Sequence, residues 1–148
     1  MKALSTCKLD SVLMDVKTPL DKKKYVENAI TGNKCYTSFH QFFNDYIAYK
    51  DINITDVLNK SGINKNYVYG IVNGTKKNPG RDKVIALCVA AGMDFVETNR
   101  TLKISKLGPL YSKDPRDVTI IVFINNKNTN VTDLNLQLTN ENFKPLDI

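Results

Sequence analysis

Few residues in this 148-residue chain are of types that perform covalent chemistry. The single histidine, His40, has no catalytic partner in sequence, so neither a Ser/His/Asp nor a Cys/His set can be assembled. The three cysteines, Cys7, Cys35 and Cys88, are odd in number and form no C-x-x-C pair. They imply neither a disulfide framework nor a zinc site, and Cys88, within an apolar run, reads as a buried thiol in a reducing cytoplasm. No phosphate-cradling glycine loop is present, and the carboxylates are scattered at positions suited to helix capping. The sequence therefore reads as a non-enzyme with no metal and no cofactor. What it carries in density is charge of one sign. The net charge is +6, and residues 60–83 alone carry +5, against −2 for residues 37–59 and −1 for residues 111–148. Lys60, Lys65, Lys76, Lys77, Arg81 and Lys83 supply that cluster, and clustered cations suit a polyanion, whose affinity comes largely from phosphate neutralisation and counterion release. A solvated lysine face would have the same composition.

The elements that must position these lysines lie in residues 53–74. Asn53 is placed to cap a short helix bearing Val57 and Leu58, and Gly62 is placed to end it, because glycine takes the left-handed C′ conformation without a Cβ clash. Ile63 is expected to be buried in the turn. Asn64 caps a second helix at once, with Val68 and Ile71 on one face and Gly74 at its end. Two capped helices joined by a glycine turn form a helix-turn-helix pattern, or else an ordinary helical hairpin.

The rest of the chain reads as helical too. Residues 1–36 form an N-terminal appendage of two short helices, with the lysine run Lys22, Lys23, Lys24 on the second. Phe39, Phe42, Phe43, Tyr46 and Ile47 recur at three- and four-residue spacing and predict an amphipathic helix over 38–49. Residues 81–91 are apolar over most of a helix circumference, as in a central buried helix. Asp94 and Glu97 then have capping-box spacing. An internal repeat links this unit to the C-terminus: residues 81–110 and 116–146 both open on Arg-Asp and both close on Pro-Leu. The repeat decides an ambiguity. Residues 119–124 have strand propensity, but their counterpart 84–89 is helical, so a helix is expected there as well. Stacking the two helix pairs buries the apolar face of each. Nothing in the chain is long and apolar enough to span a bilayer, and the first sixteen residues lack the apolar core of a secretory signal.

Residues 37–104 resemble the Cro/repressor-type (XRE) helix-turn-helix domain: residues 62–66 stand where that family has its turn and recognition-helix start, Val68 and Ile71 at its buried positions, and Gly74 with the following lysines and Pro79 in its loop. The whole chain is similar to small bacterial proteins of this class with an extension, here Glu97-Thr98-Asn99, Gly108-Pro109-Leu110-Tyr111, Arg116-Asp117 and Pro145-Leu146. The resemblance implies an all-α fold: a five-helix lambda-repressor-like helix-turn-helix domain over 37–110, then a helical hairpin over 111–148 that repeats 81–110. It implies a sequence-specific, DNA-binding transcription regulator that binds double-stranded DNA as a homodimer. The DNA-contacting set would be Asn64, Lys65, Asn66, Tyr67, Tyr69, Gly70, Asn73, Thr75, Lys76 and Lys77. Lys65, Asn66, Tyr69, Gly70 and Asn73 would face the major groove, with Asn66 on adenine and Tyr69 on a phosphate or thymine methyl, while Lys76 and Lys77 hold the backbone. The chain departs from the family pattern at Ile54, where glutamine is frequent, at Leu58, where alanine is usual, and at Gly70, where arginine or glutamine is frequent. Ile54 and Gly70 favour a second reading, a protein-interaction module that docks a partner through residues 81–148. The charge map favours the first.

Overall fold

The computed structural model describes residues 36–148, and every regular element among them is an α-helix: α1 Phe39–Tyr49, α2 Ile54–Ser61, α3 Lys65–Val72, α4 Arg81–Ala90, α5 Phe95–Ile104, α6 Pro115–Asn125 and α7 Val131–Asn140. The appendage expected over 1–36, with its lysine run, lies outside the described residues but for Tyr36. No helix among the described residues is long and apolar enough to cross a membrane.

Side-chain caps set most of the helix starts. Asn53, Asn64, Asp94, Asp114 and Asn130 each accept from a backbone N–H in the first turn that follows, and Asp94 with Glu97 completes a reciprocal capping box. The two Arg-Asp helices end alike, with Gly92 after α4 and Lys127 after α6 at positive φ. Residues 119–124 are helical within α6, so the repeat outweighs strand propensity there.

α4 lies at the centre, with every residue from Val84 to Ala90 buried. It packs against α2, α5 and α7, while α1 packs on α3 and α5, and α6 packs on α5 and α7. One continuous apolar core runs from Phe39 to Leu146. Burial holds the Cys88 thiol in its neutral form and pushes its pKa from 9.0 up to about 12. Burial, then the nearby Glu97 carboxylate, raises the Tyr46 phenol in the same direction.

The two repeats close on each other through a reciprocal clamp. Arg81 donates to Asp117 at 2.8 and 3.2 Å, and Arg116 donates to Asp82 at 3.2 and 3.4 Å. Arg81 also donates to the carbonyls of Gly108 and Pro109, and Arg116 to those of Lys144 and Pro145. Asn99 accepts from the Leu110 N–H and Asn135 from the Leu146 N–H, both at 2.8 Å. Tyr111 N–H donates to Asp117, and Asp147 N–H donates to Asp82. Each contact in one repeat has its counterpart in the other, and each aspartate serves the opposite repeat. Such an exchange needs a pseudo-twofold relation. A translation, as in a solenoid, would leave one arginine and one aspartate without partners.

Candidate nucleic-acid interface

The turn between α2 and α3 is built from three small or branched residues. Gly62 ends α2 at φ +70°, a conformation that costs glycine least. Ser61 is fully buried; its hydroxyl donates to the Leu58 carbonyl at 3.0 Å and accepts the Ile63 N–H at 3.2 Å. Ile63, 5% exposed, plugs the turn from within. Behind the turn, the Ile148 side chain comes within 3.3 Å of where a Cβ on Gly62 would stand, so the C-terminus braces the helix pair.

α3 is fixed at both ends. Asn64 Oδ1 accepts from the N–H groups of Asn66 and Tyr67, at 2.9 and 3.4 Å. At the other end, Asn44 of α1 donates from Nδ2 to the Val72 carbonyl at 2.8 Å, satisfying a terminal acceptor. Asn73 Oδ1 accepts the Thr75 N–H and shapes the loop that follows. The His40 ring lies 3.3 Å from a hypothetical Cβ on Gly74, whose φ is +81°. Val68 and Ile71, fully buried, anchor the inner face of α3.

The outer face carries Lys65, Asn66, Tyr69 and Asn73, all exposed, and runs into exposed Asn64 at the start and exposed Thr75, Lys76 and Lys77 at the end. Lys65 Nζ is 5.9 Å from the centre of the Tyr69 ring, so an ammonium and an aromatic surface are presented side by side. Two expected contact residues are placed otherwise. Gly70 is buried, not on the outer face: the Lys76 stem lies across it, with Cγ 2.9 Å from where a Cβ would stand, and the Lys76 N–H donates to the Gly70 carbonyl. No larger residue fits there without moving Lys76. Tyr67 is half-buried, with Lys76 Nζ 5.3 Å and Lys83 Nζ 5.2 Å from its ring centre. Desolvation by burial raises its phenol pKa above the ordinary value.

The basic cluster read from the sequence is also smaller in space than along the chain. Arg81 is taken up by the clamp to Asp117, and Lys83 turns to Tyr67 and the Asp147 carbonyl. Lys60, Lys65, Lys76 and Lys77 remain exposed. Next to the last two, a cavity of about 360 Å³ is bounded by Ser38, His40, Pro79 and Lys106. Ser38 Oγ and His40 Nδ1 are buried at its edge without a hydrogen-bond partner.

Sequence reasoning missed the aspartates of the clamp. Asp82 and Asp117 were visible as the second residue of each Arg-Asp pair, but their pairing across the repeats needs the pseudo-twofold relation, which spacing alone does not contain. Comparison with protein-family models, curated proteins and solved structures finds no match for this chain.

Proposed function

We propose that this protein is a sequence-specific, DNA-binding transcription regulator with a five-helix, lambda-repressor-like domain followed by a helical hairpin. The observation that carries this reading is the outer face of α3. An exposed row of lysine, asparagine and tyrosine stands on a helix held at both ends, directly ahead of the exposed lysines of its loop. Lys65 and Asn66, in the first turn of α3, occupy the part of a recognition helix that enters the major groove. Asn66 there pairs with the N6 and N7 edge of adenine, and Tyr69 reaches a phosphate or a thymine methyl. Thr75, Lys76 and Lys77 meet the phosphate backbone, which supplies affinity without sequence information. One such helix reads few base pairs, so the reading includes a homodimer on a palindromic site. It includes no catalytic step.

A second reading, an adaptor whose helix pair no longer reads bases, is favoured by the burial of Gly70 under Lys76 and the partial burial of Ile54 in the first turn of α2. Both place apolar or featureless groups where a reader of bases would place polar ones. In this reading residues 81–148 dock a protein.

The test is binding to fluorescent genomic duplexes over a salt series, with the Lys65→Ala/Asn66→Ala double variant beside the wild type. Selective binding of one fragment, steeply weakened by salt and lost in the double variant, is the expected result. Equal, weak binding of every fragment, unchanged in the variant, would overturn the DNA reading and leave the adaptor.

A further inference from the structure

Among the described residues, three buried side-chain polar atoms lack a hydrogen-bond partner, and two of them, Ser38 Oγ and His40 Nδ1, sit at one cavity. The third, Thr98 Oγ1, is not in its walls. A buried polar atom left unpaired costs folding free energy, so two at one cavity mark a place where a bound group would complete them. The cavity holds about 360 Å³, at the small end of the range of about 300–1,000 Å³ usual for small-molecule sites. Its charge is of one sign. Lys76, Lys77 and Lys106 line it, and no carboxylate does among the described residues. The Lys76 ammonium leans on the Tyr67 ring, 5.3 Å from its centre, but neither Lys77 nor Lys106 has an ion-pair partner among the described residues. The N-terminus of α1 opens on the same space. Ser38, at its N-cap position, makes no side-chain capping bond, and the first turn of α1 holds no acidic residue. The positive end of that helix dipole therefore faces the cavity without a negative group of its own.

We propose that this cavity binds a small phosphate monoester, its oxygens held by Lys77, Lys106 and the Ser38 hydroxyl and its carbon part laid against Pro79 and Ile104. Charge and donor number select the class. A monoester carries a charge of about −1.5 to −2 at neutral pH and three acceptor oxygens. Two ammonium groups, a hydroxyl and the N–H groups at the start of α1 are the matching donors. A carboxylate, with a single charge, would leave one ammonium uncompensated. The Ser38 hydroxyl turns inward by rotation about one side-chain bond. Lys77 belongs both to this cavity and to the loop assigned to the DNA backbone, so an occupant would compete with the duplex for it. That consequence rests on the DNA-binding reading. The site does not, and its test contains no DNA, so the two can fail separately.

The experiment is calorimetric titration of the full chain with phenyl phosphate at constant ionic strength, with inorganic phosphate and phenol run beside it. Phenyl phosphate is expected to bind once per chain and more tightly than either control, because each control lacks one half of what the cavity holds. Lys106→Ala should weaken binding about tenfold and Ser38→Ala about fivefold, as for the loss of one charged and one neutral donor. Lys60→Ala removes the same charge from an exposed position outside the cavity and should leave binding unchanged. Ser38→Ala should also keep the wild-type urea midpoint, because the hydroxyl has no partner to lose in the free chain. No binding of phenyl phosphate, as when residues 1–35 fill the cavity, would overturn the proposal. So would equal losses in Lys60→Ala and Lys106→Ala, the mark of diffuse attraction to a basic chain, or a Ser38→Ala variant that binds like the wild type.

Discussion

Replacing Asp117 with alanine tests whether the reciprocal clamp holds the two repeats together. Asp117 accepts from Arg81 at 2.8 and 3.2 Å and from the Tyr111 N–H at 2.9 Å, and its side chain is 7% exposed. Asp82, its counterpart, accepts from Arg116 at 3.2 and 3.4 Å and from the Asp147 N–H at 3.0 Å, with 23% of its side chain exposed. Removing one partner of a buried pair costs about 3–5 kcal/mol, chiefly through the charge left behind. Arg81 is 28% exposed and keeps the carbonyls of Gly108 and Pro109, so water and those acceptors recover part of that cost. The expected loss for Asp117→Ala is about 3 kcal/mol, with about 1–2 kcal/mol for Asp82→Ala in its wetter, longer contacts. The assay is urea unfolding followed by circular dichroism. At an m-value of about 2 kcal/mol/M, the Asp117→Ala midpoint falls by about 1.5 M, roughly twice the fall for Asp82→Ala. A double-mutant cycle with Arg81→Met should return a favourable coupling for the pair. The reasoning is refuted if Asp117→Ala loses less than about 1 kcal/mol, or if the two aspartates cost the same.

Other outcomes follow from single positions. Gly62→Ala should lower stability by about 1 kcal/mol, because a Cβ at φ +70° is strained and stands 3.3 Å from Ile148. Gly108→Ala, with nothing within 4 Å and no positive φ, should stay within about 0.5 kcal/mol in the same urea assay. Alkaline pH should destabilise the fold. The Cys88 pKa rises from 9.0 to about 12 on folding, so its contribution is complete below pH 9 and is lost as pH climbs toward 12, at about 1.4 kcal/mol per pH unit. Tyr46 acts in the same direction from its ordinary value of 10.0 upward. Cys88→Ala should flatten the thiol part of that slope in unfolding curves taken across the range.

The helices themselves were legible because their signals are local. Asn53, Asn64 and Asp94 cap where their spacing predicts, and Gly62 ends α2 as a glycine before a second cap should. The repeat also carried information that propensity lacked: residues 119–124 favour a strand by composition yet form a helix in α6, as their counterparts do in α4. The candidate interface was legible in outline only. Most of the expected contact residues are exposed, but Tyr67 is half-buried and Gly70 is buried, because whether a glycine faces outward depends on which neighbour's side chain lies over it. Here that neighbour is Lys76, six residues further on. Arg81 counted among the polyanion-binding cations by position along the chain, and its carboxylate partner 36 residues away removes it from them.

By itself, then, the sequence determined what is decided within a few residues: the helices α1 to α5, the caps at Asn53, Asn64 and Asp94, the central apolar helix, and the row of polar residues on α3. Backbone hydrogen bonding and side-chain periodicity act over one or two turns, so the order of residues is enough to read them. Tertiary structure alone decided how the two repeats meet. The same Arg-Asp pairs fit a translational stack or a twofold closure, and only the three-dimensional placement of each arginine against the opposite aspartate selects between them. That closure withdraws Arg81 from the basic surface, and the contacts of Lys83 with the Tyr67 ring and the Asp147 carbonyl withdraw that lysine too. These outcomes depend on distances between residues far apart in the chain, which no local pattern encodes.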